Sequence, residues 1–215
     1  MSWSLNEIDS LARKATRGAG YSWGLAEEAG RATRWLCAMG LPGADCLAGV
    51  LAQTDGVAYD ALCPDGSEGA WTASGGTLCP LITGAAICDN AATIADGREV
   101  VLQKTFYPLL LYPFVAVASD MTGTALSLSW GPCRLTRCEG ISHLNAEAPA
   151  LHDSCDSATI RCASDTPGTV VRRAWRGGIS DEAQRILSAL AHRTYAPDTP
   201  ESRMAGAGAG LTDND

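Results

Sequence analysis

Apolar residues recur every three or four positions through the first fifty residues, and the period then shortens. Leu5, Ile8, Leu11, Ala12 and Ala15 fall on one face of a helix. Ser4 and Glu7 have the spacing of a capping box, in which each side chain satisfies a free backbone donor at the helix start. Gly18 and Gly20 end that helix. Ser22 caps a second helix over residues 22–39, with Leu25, Ala26, Ala29, Ala32, Leu36 and Met39 on its apolar face. Glu27 and Arg31 pair one turn apart in the favoured order, and Gly40 and Pro42 stop the helix. Leu47, Val50 and Leu51 mark a third, shorter helix over 44–53. Residues 4–53 therefore read as a packed three-helix unit with short connections.

Residues 54–76 are crowded with Gly, Asp, Ser and Pro and read as loop, with one short strand near 57–59. From Leu78 onward the pattern predicts strands. The apolar run 78–87 is ambiguous, being interrupted by Pro80 and Gly84. Residues 100–105 form a strand, and 109–118 a buried strand or two short ones around Pro113. Residues 124–130 alternate, with Leu126, Leu128 and Trp130 on one side and Ser127 and Ser129 on the other. Residues 158–163 and 169–175 are further strands, joined by the turn from Asp165 to Gly168. Ser180 caps a last helix whose apolar face is Ile186, Leu187, Leu190 and Ala191. No internal repeat is visible. The expected fold is α+β, in a single domain over 1–197. It comprises a helical unit (4–53), a central, mainly antiparallel sheet region (78–175), a C-terminal helix (180–194) and a flexible Gly/Ala tail (198–215).

Composition narrows the function classes. The chain has 215 residues, 46% hydrophobic and 19% charged, which supplies a core and argues against disorder. No apolar run reaches the roughly 18 residues of a membrane-spanning helix. A net charge of −8, with no basic stretch interleaved with aromatics, argues against nucleic acid as a partner. The first residues carry neither a basic nor an apolar leader pattern, so a cytoplasmic protein is expected. There the nine cysteines would be reduced thiols.

Three groups of residues could carry chemistry. Cys133, Cys138 and His143 follow one another at five-residue intervals, and His152 and Cys155 come next, with Cys162 beyond. Thiolate and imidazole are zinc's ligands, so this region is the candidate metal site, against the plainer reading of core cysteines and incidental loop histidines. Zinc is the one cofactor the residues suggest, and none is predicted outright. Cys88, after a Gly-Ala-Ala run at an expected strand end, is the candidate nucleophile, with His143, His152 or His192 as its base; buried filler is the plainer reading. The turn holding Arg17, Gly18, Gly20, Ser22 and Trp23 opens the second helix, where backbone donors and the helix dipole favour an anion, and Arg17 adds a fork for carboxylate or phosphate. A plain helix–turn–helix link explains the glycines equally well.

Several stretches resemble an uncharacterised, mainly alphaproteobacterial domain-of-unknown-function family. They are Ser4-Leu-Asn-Glu-Ile, Arg17-Gly-Ala-Gly20, Trp23-Gly-Leu-Ala-Glu-Glu-Ala-Gly30, Gly40-Leu-Pro-Gly43, Tyr195-Ala-Pro and the terminal Gly206-Ala-Gly-Ala-Gly-Leu-Thr-Asp-Asn-Asp215. The resemblance implies a bacterial cytoplasmic protein whose tail belongs to the family pattern, and it brings no activity or cofactor. The reading that follows is a non-catalytic binding or accessory protein. It would act on a protein partner through the tail, or on a small anionic ligand at the Arg17–Trp23 turn. The alternative is a small-molecule enzyme using Cys or zinc chemistry from the Cys133–Cys155 region.

Overall fold

A computed structural model describes residues 2–65, 69–145, 154–165 and 168–195. A short strand, β1 (Ser2–Ser4), runs straight into helix α1 (Leu5–Gly18). Ser4 carries the expected box: its hydroxyl accepts from the Glu7 N–H at 3.2 Å, and the Glu7 carboxylate accepts from the Ser4 N–H at 2.8 Å. Ser22 caps α2 (Trp23–Ala38) by accepting from the Leu25 N–H at 3.3 Å. Helix α3 (Gly43–Thr54) and the single turn α4 (Tyr59–Leu62) follow.

The central part of the chain interleaves helices and strands. In order come α5 (Pro80–Asp89), α6 (Ala91–Ala95), β2 (Val100–Thr105), a 3-10 turn (Pro108–Leu111), α7 (Tyr112–Thr122), β3 (Leu126–Trp130), β4 (Cys133–Cys138), β5 (Ile141–Asn145), β6 (Cys155–Cys162), β7 (Thr169–Val170) and β8 (Arg176–Gly178). The last helix, α8 (Asp181–His192), is capped by Ser180, whose hydroxyl accepts from the Ala183 N–H at 3.1 Å. The fold is α+β. Its main sheet has six strands in the order β2-β6-β3-β4-β5-β7, with every neighbouring pair antiparallel. Two parallel bridges, Trp71 to Leu102 and Leu78 to Thr105, border β2.

Packing explains the layout. α1 lies against α2 and α8, and α3 against α2 and α8. β1 pairs with β8, so the strands that lead into α1 and α8 lie side by side. Gly18 sits where α8 comes closest: a Cβ there would stand 1.9 Å from the Leu190 carbonyl oxygen. Leu126, Leu128, Leu135, Ala158 and Ile160 make the buried face of the sheet, against which α7 packs. Tyr112 ties the two layers by donating its hydroxyl to the Thr136 carbonyl at 2.9 Å.

Several expectations are corrected. Residues 109–118 are helical, not extended. Pro108 opens the 3-10 turn and Pro113 lies in the first turn of α7, where a missing N–H costs no bond. The run 78–87 is largely helix α5, with Pro80 in its first turn. The strand expected near 57–59 gives way to α4, and that over 169–175 shrinks to β7. The hairpin β4–β5 and the β1–β8 ribbon were not anticipated by the pattern. Residues 198–215 lie outside the described residues. Among the described residues, no helix is long and apolar enough to cross a membrane.

Candidate functional site

The turn between α1 and α2 is built by need. Gly20 takes φ +97°, a conformation glycine adopts without strain, and lets the chain reverse within four residues. Tyr21 then turns inward and is 7% exposed. Its hydroxyl donates to the Thr54 hydroxyl at 2.7 Å, which in turn donates to the Val50 carbonyl at 2.9 Å. The Cys79 thiol lies 3.3 Å from the same phenol oxygen. Burial pushes both the Tyr21 phenol and the Cys79 thiol up, so both are neutral in ordinary buffers. This chain of neutral groups locks the turn to the end of α3.

A pocket of about 430 Å³ opens beside it. The turn contributes Ala19, Gly20, Tyr21 and Ser22; the link after α3 contributes Gly56 and Val57; Tyr59 and Leu62 of α4 and Ile82 of α5 complete the walls. None of these side chains is charged. Tyr59 is 55% exposed, and Trp23, next along the chain from Ser22, is 64% exposed. Such a volume and apolar walls, with the exposed Tyr59 ring among them, suit a small organic ligand.

The five residues of the anion reading meet different fates here. Gly20 and Ser22 line the pocket. The Ser22 hydroxyl is committed to the α2 cap. Gly18 serves the contact with α8. Arg17 folds over the outside of the turn, donating to the Tyr21 carbonyl at 2.8 Å, with its guanidinium 5.2 Å from the centre of the Trp23 ring. It braces the turn and stands beside the pocket rather than lining it. Sequence reasoning passed over Tyr21, Val57, Tyr59, Leu62 and Ile82. Tyr21, flanked by the two residues already singled out, was the available signal.

The metal candidates are dispersed. Strand alternation puts Cys133 on the buried face of β4 and Cys138 on the other. His143, paired with Thr136, shares the face opposite Cys133. Cys155 belongs to β6, separated from β4 by β3. His152 lies outside the described residues. Among the described residues, no group of three or more His, Cys, Asp or Glu side chains is placed to hold a metal ion.

Cys88 sits near the end of α5, not at a strand end, with its thiol 3.5 Å from the Phe114 carbonyl. Burial, with the Glu28 and Asp89 carboxylates adding to it, pushes this thiol up to about 11. At neutral pH it is a protonated thiol, the reverse of what a nucleophile needs. Burial also holds Cys155 up, to about 11.

No curated protein matches the chain. All the pocket residues except Ile82 fall within the segment that does have a match: residues 3–79 fit the family described as "Protein of unknown function (DUF3726)".

Proposed function

We propose that this chain is a non-catalytic binding protein and that its ligand is a small molecule with a flat apolar body and one anionic end. The observation that carries the reading is the coincidence of the Gly20–Ser22 turn with the apolar pocket. The uncharged walls take the body of the ligand. The start of α2, whose cap Ser22 lines the pocket, and the Arg17 guanidinium bonded to the Tyr21 carbonyl place positive charge beside this turn, which favours an anionic end on that side. The raised thiols and the absence of charge in the lining support binding over turnover.

Phenylacetate and its uncharged analogue phenylacetamide test this directly. Phenylacetate should raise the melting temperature, by an amount that grows with the logarithm of its concentration above Kd, and change Trp23 fluorescence, and phenylacetamide should do so more weakly. Val57→Glu, a change at a 43% exposed wall position, should abolish both responses without unfolding the chain, since it fills the wall and repels an anion. Equal binding of acid and amide would remove the anionic end from the reading. No response to either would remove the small ligand.

A second reading has its own observation. Trp23, Val57 and Tyr59 are all large, exposed and gathered around this turn and link. An apolar side chain of a protein partner would fit the same pocket, with these three residues as its collar.

A further inference from the structure

We infer that the face of the sheet turned away from α7 carries a second, independent site, at which Arg134 and Arg161 together take a phosphate group. The register brings them together. Ser129 on β3 pairs with Arg134 on β4, and Ser127 on β3 pairs with Arg161 on β6. Directly opposite residues share a face, so both arginines stand on the side of Ser127 and Ser129, opposite Leu126 and Leu128. Their strands flank β3, about 10 Å apart at the backbone. That span is within reach of two long side chains, and both line one pocket of about 330 Å³. The 162–165 segment completes the wall of that pocket beside the two arginines.

The pairing of these arginines is loose. Arg134 meets Asp165 at 3.4 Å, and Arg161 meets Glu99 at 4.0 Å. On the other face, by contrast, Arg137 grips Asp120 through two bonds of 2.9 and 2.7 Å. Each guanidinium presents five donors in a planar fork, and one long contact uses little of that capacity. A tetrahedral dianion between them would accept from both forks, with the Ser164 hydroxyl on the pocket wall as a further donor. Asp165 is the built-in competitor. Its carboxylate lines the same pocket and must yield its contact with Arg134 when phosphate binds. The site shares no residue with the pocket beside Tyr21, so neither reading depends on the other.

Inorganic phosphate is the probe, titrated at constant ionic strength against chloride and followed by amide and arginine side-chain NMR. The expected result is saturable shifts confined to Arg134, Arg161 and the 163–165 turn. Arg161→Gln, at a half-exposed position, should weaken binding about tenfold. Asp165→Asn should tighten it several-fold by removing the competing charge. Shifts that chloride reproduces, or saturable binding indifferent to both substitutions, would overturn the site.

Discussion

Helices α1 and α8, in the helical group, and helix α7, against the sheet, bury their surfaces in opposite ways. α1 and α8 keep one wet face. In α1 the buried positions are Leu5, Ile8, Ala12, Ala15 and Thr16, with polar residues between them. Both begin at a serine whose hydroxyl accepts a backbone N–H. α7 has neither feature: Tyr112, Pro113, Phe114, Val115, Ala116, Ala118 and Ser119 are all buried, and no side chain caps its start. α5, which packs on α7 behind it, likewise buries Pro80 through Gly84 without interruption and has no side-chain cap. A helix advertises its period only where water touches one side of it. Between a sheet and other helices, apolar residues are needed all round, and the period disappears.

Substituting one helical glycine at a close approach in each region would show how the two kinds of interior yield. Gly18→Ala meets backbone: its Cβ would fall 1.9 Å from the Leu190 carbonyl oxygen, and α8 would have to move as a unit. Gly84→Ala meets the Phe114 ring at 2.3 Å, and a ring can swing where a backbone cannot. We expect a loss of about 3 kcal/mol for Gly18→Ala and about 2 kcal/mol for Gly84→Ala in urea unfolding. A larger loss at Gly84 would mean that the sheet-side core is the more rigid of the two, and the comparison would reverse.

The caps give the next effect. Ser4→Ala removes the hydroxyl half of the reciprocal box at the start of α1, leaving the backbone N–H bond to Glu7, and should cost about 1 kcal/mol, and Ser4→Asp should restore most of it. An unchanged midpoint for the alanine variant would show that the β1–β8 ribbon alone fixes this end of the helix.

The same contrast decides how much was legible beforehand. Ser4, Ser22 and Ser180 announced three helices because a cap is a local event between residues three apart. Strand β2 and the Leu126-Leu128-Trp130 face were legible because period two survives wherever one side of a sheet is polar. Residues 109–118 were misread because proline at a helix start and proline at a strand break look alike in one dimension. At the candidate site, the turn was visible in Gly20 and Ser22, but its opposite wall was not. Val57, Tyr59 and Ile82 reach the pocket only through tertiary packing, and no spacing along the chain foretells that. The cysteines mislead for a related reason: sequence proximity of Cys133 and Cys138 says nothing of the sheet that puts them on opposite faces.

The smallest effect lies where the helical group meets the pocket link. Arg193, just past α8, grips Asp55 through two bonds of 2.7 and 2.9 Å, immediately before Gly56 and Val57 of the pocket wall. The Arg193 hydrogen bonds hold the Asp55 carboxyl below its ordinary value. The sign follows from that direction. With the folded value depressed, the pair stabilises the fold above the unfolded carboxylate pKa of about 4, and the gain is lost as pH falls through the lower folded value. The pair is largely solvated, so its contribution to overall stability is slight. Asp55→Asn should therefore lower the urea midpoint marginally at pH 7, and the gap to the unaltered chain should close as pH falls below 4. Its effect on phenylacetate should be larger than its effect on unfolding, because freeing Asp55 loosens the link that carries Val57 and Tyr59. A variant that loses stability equally at pH 3 and pH 7 would show that the aspartate acts there through packing and not through its charge.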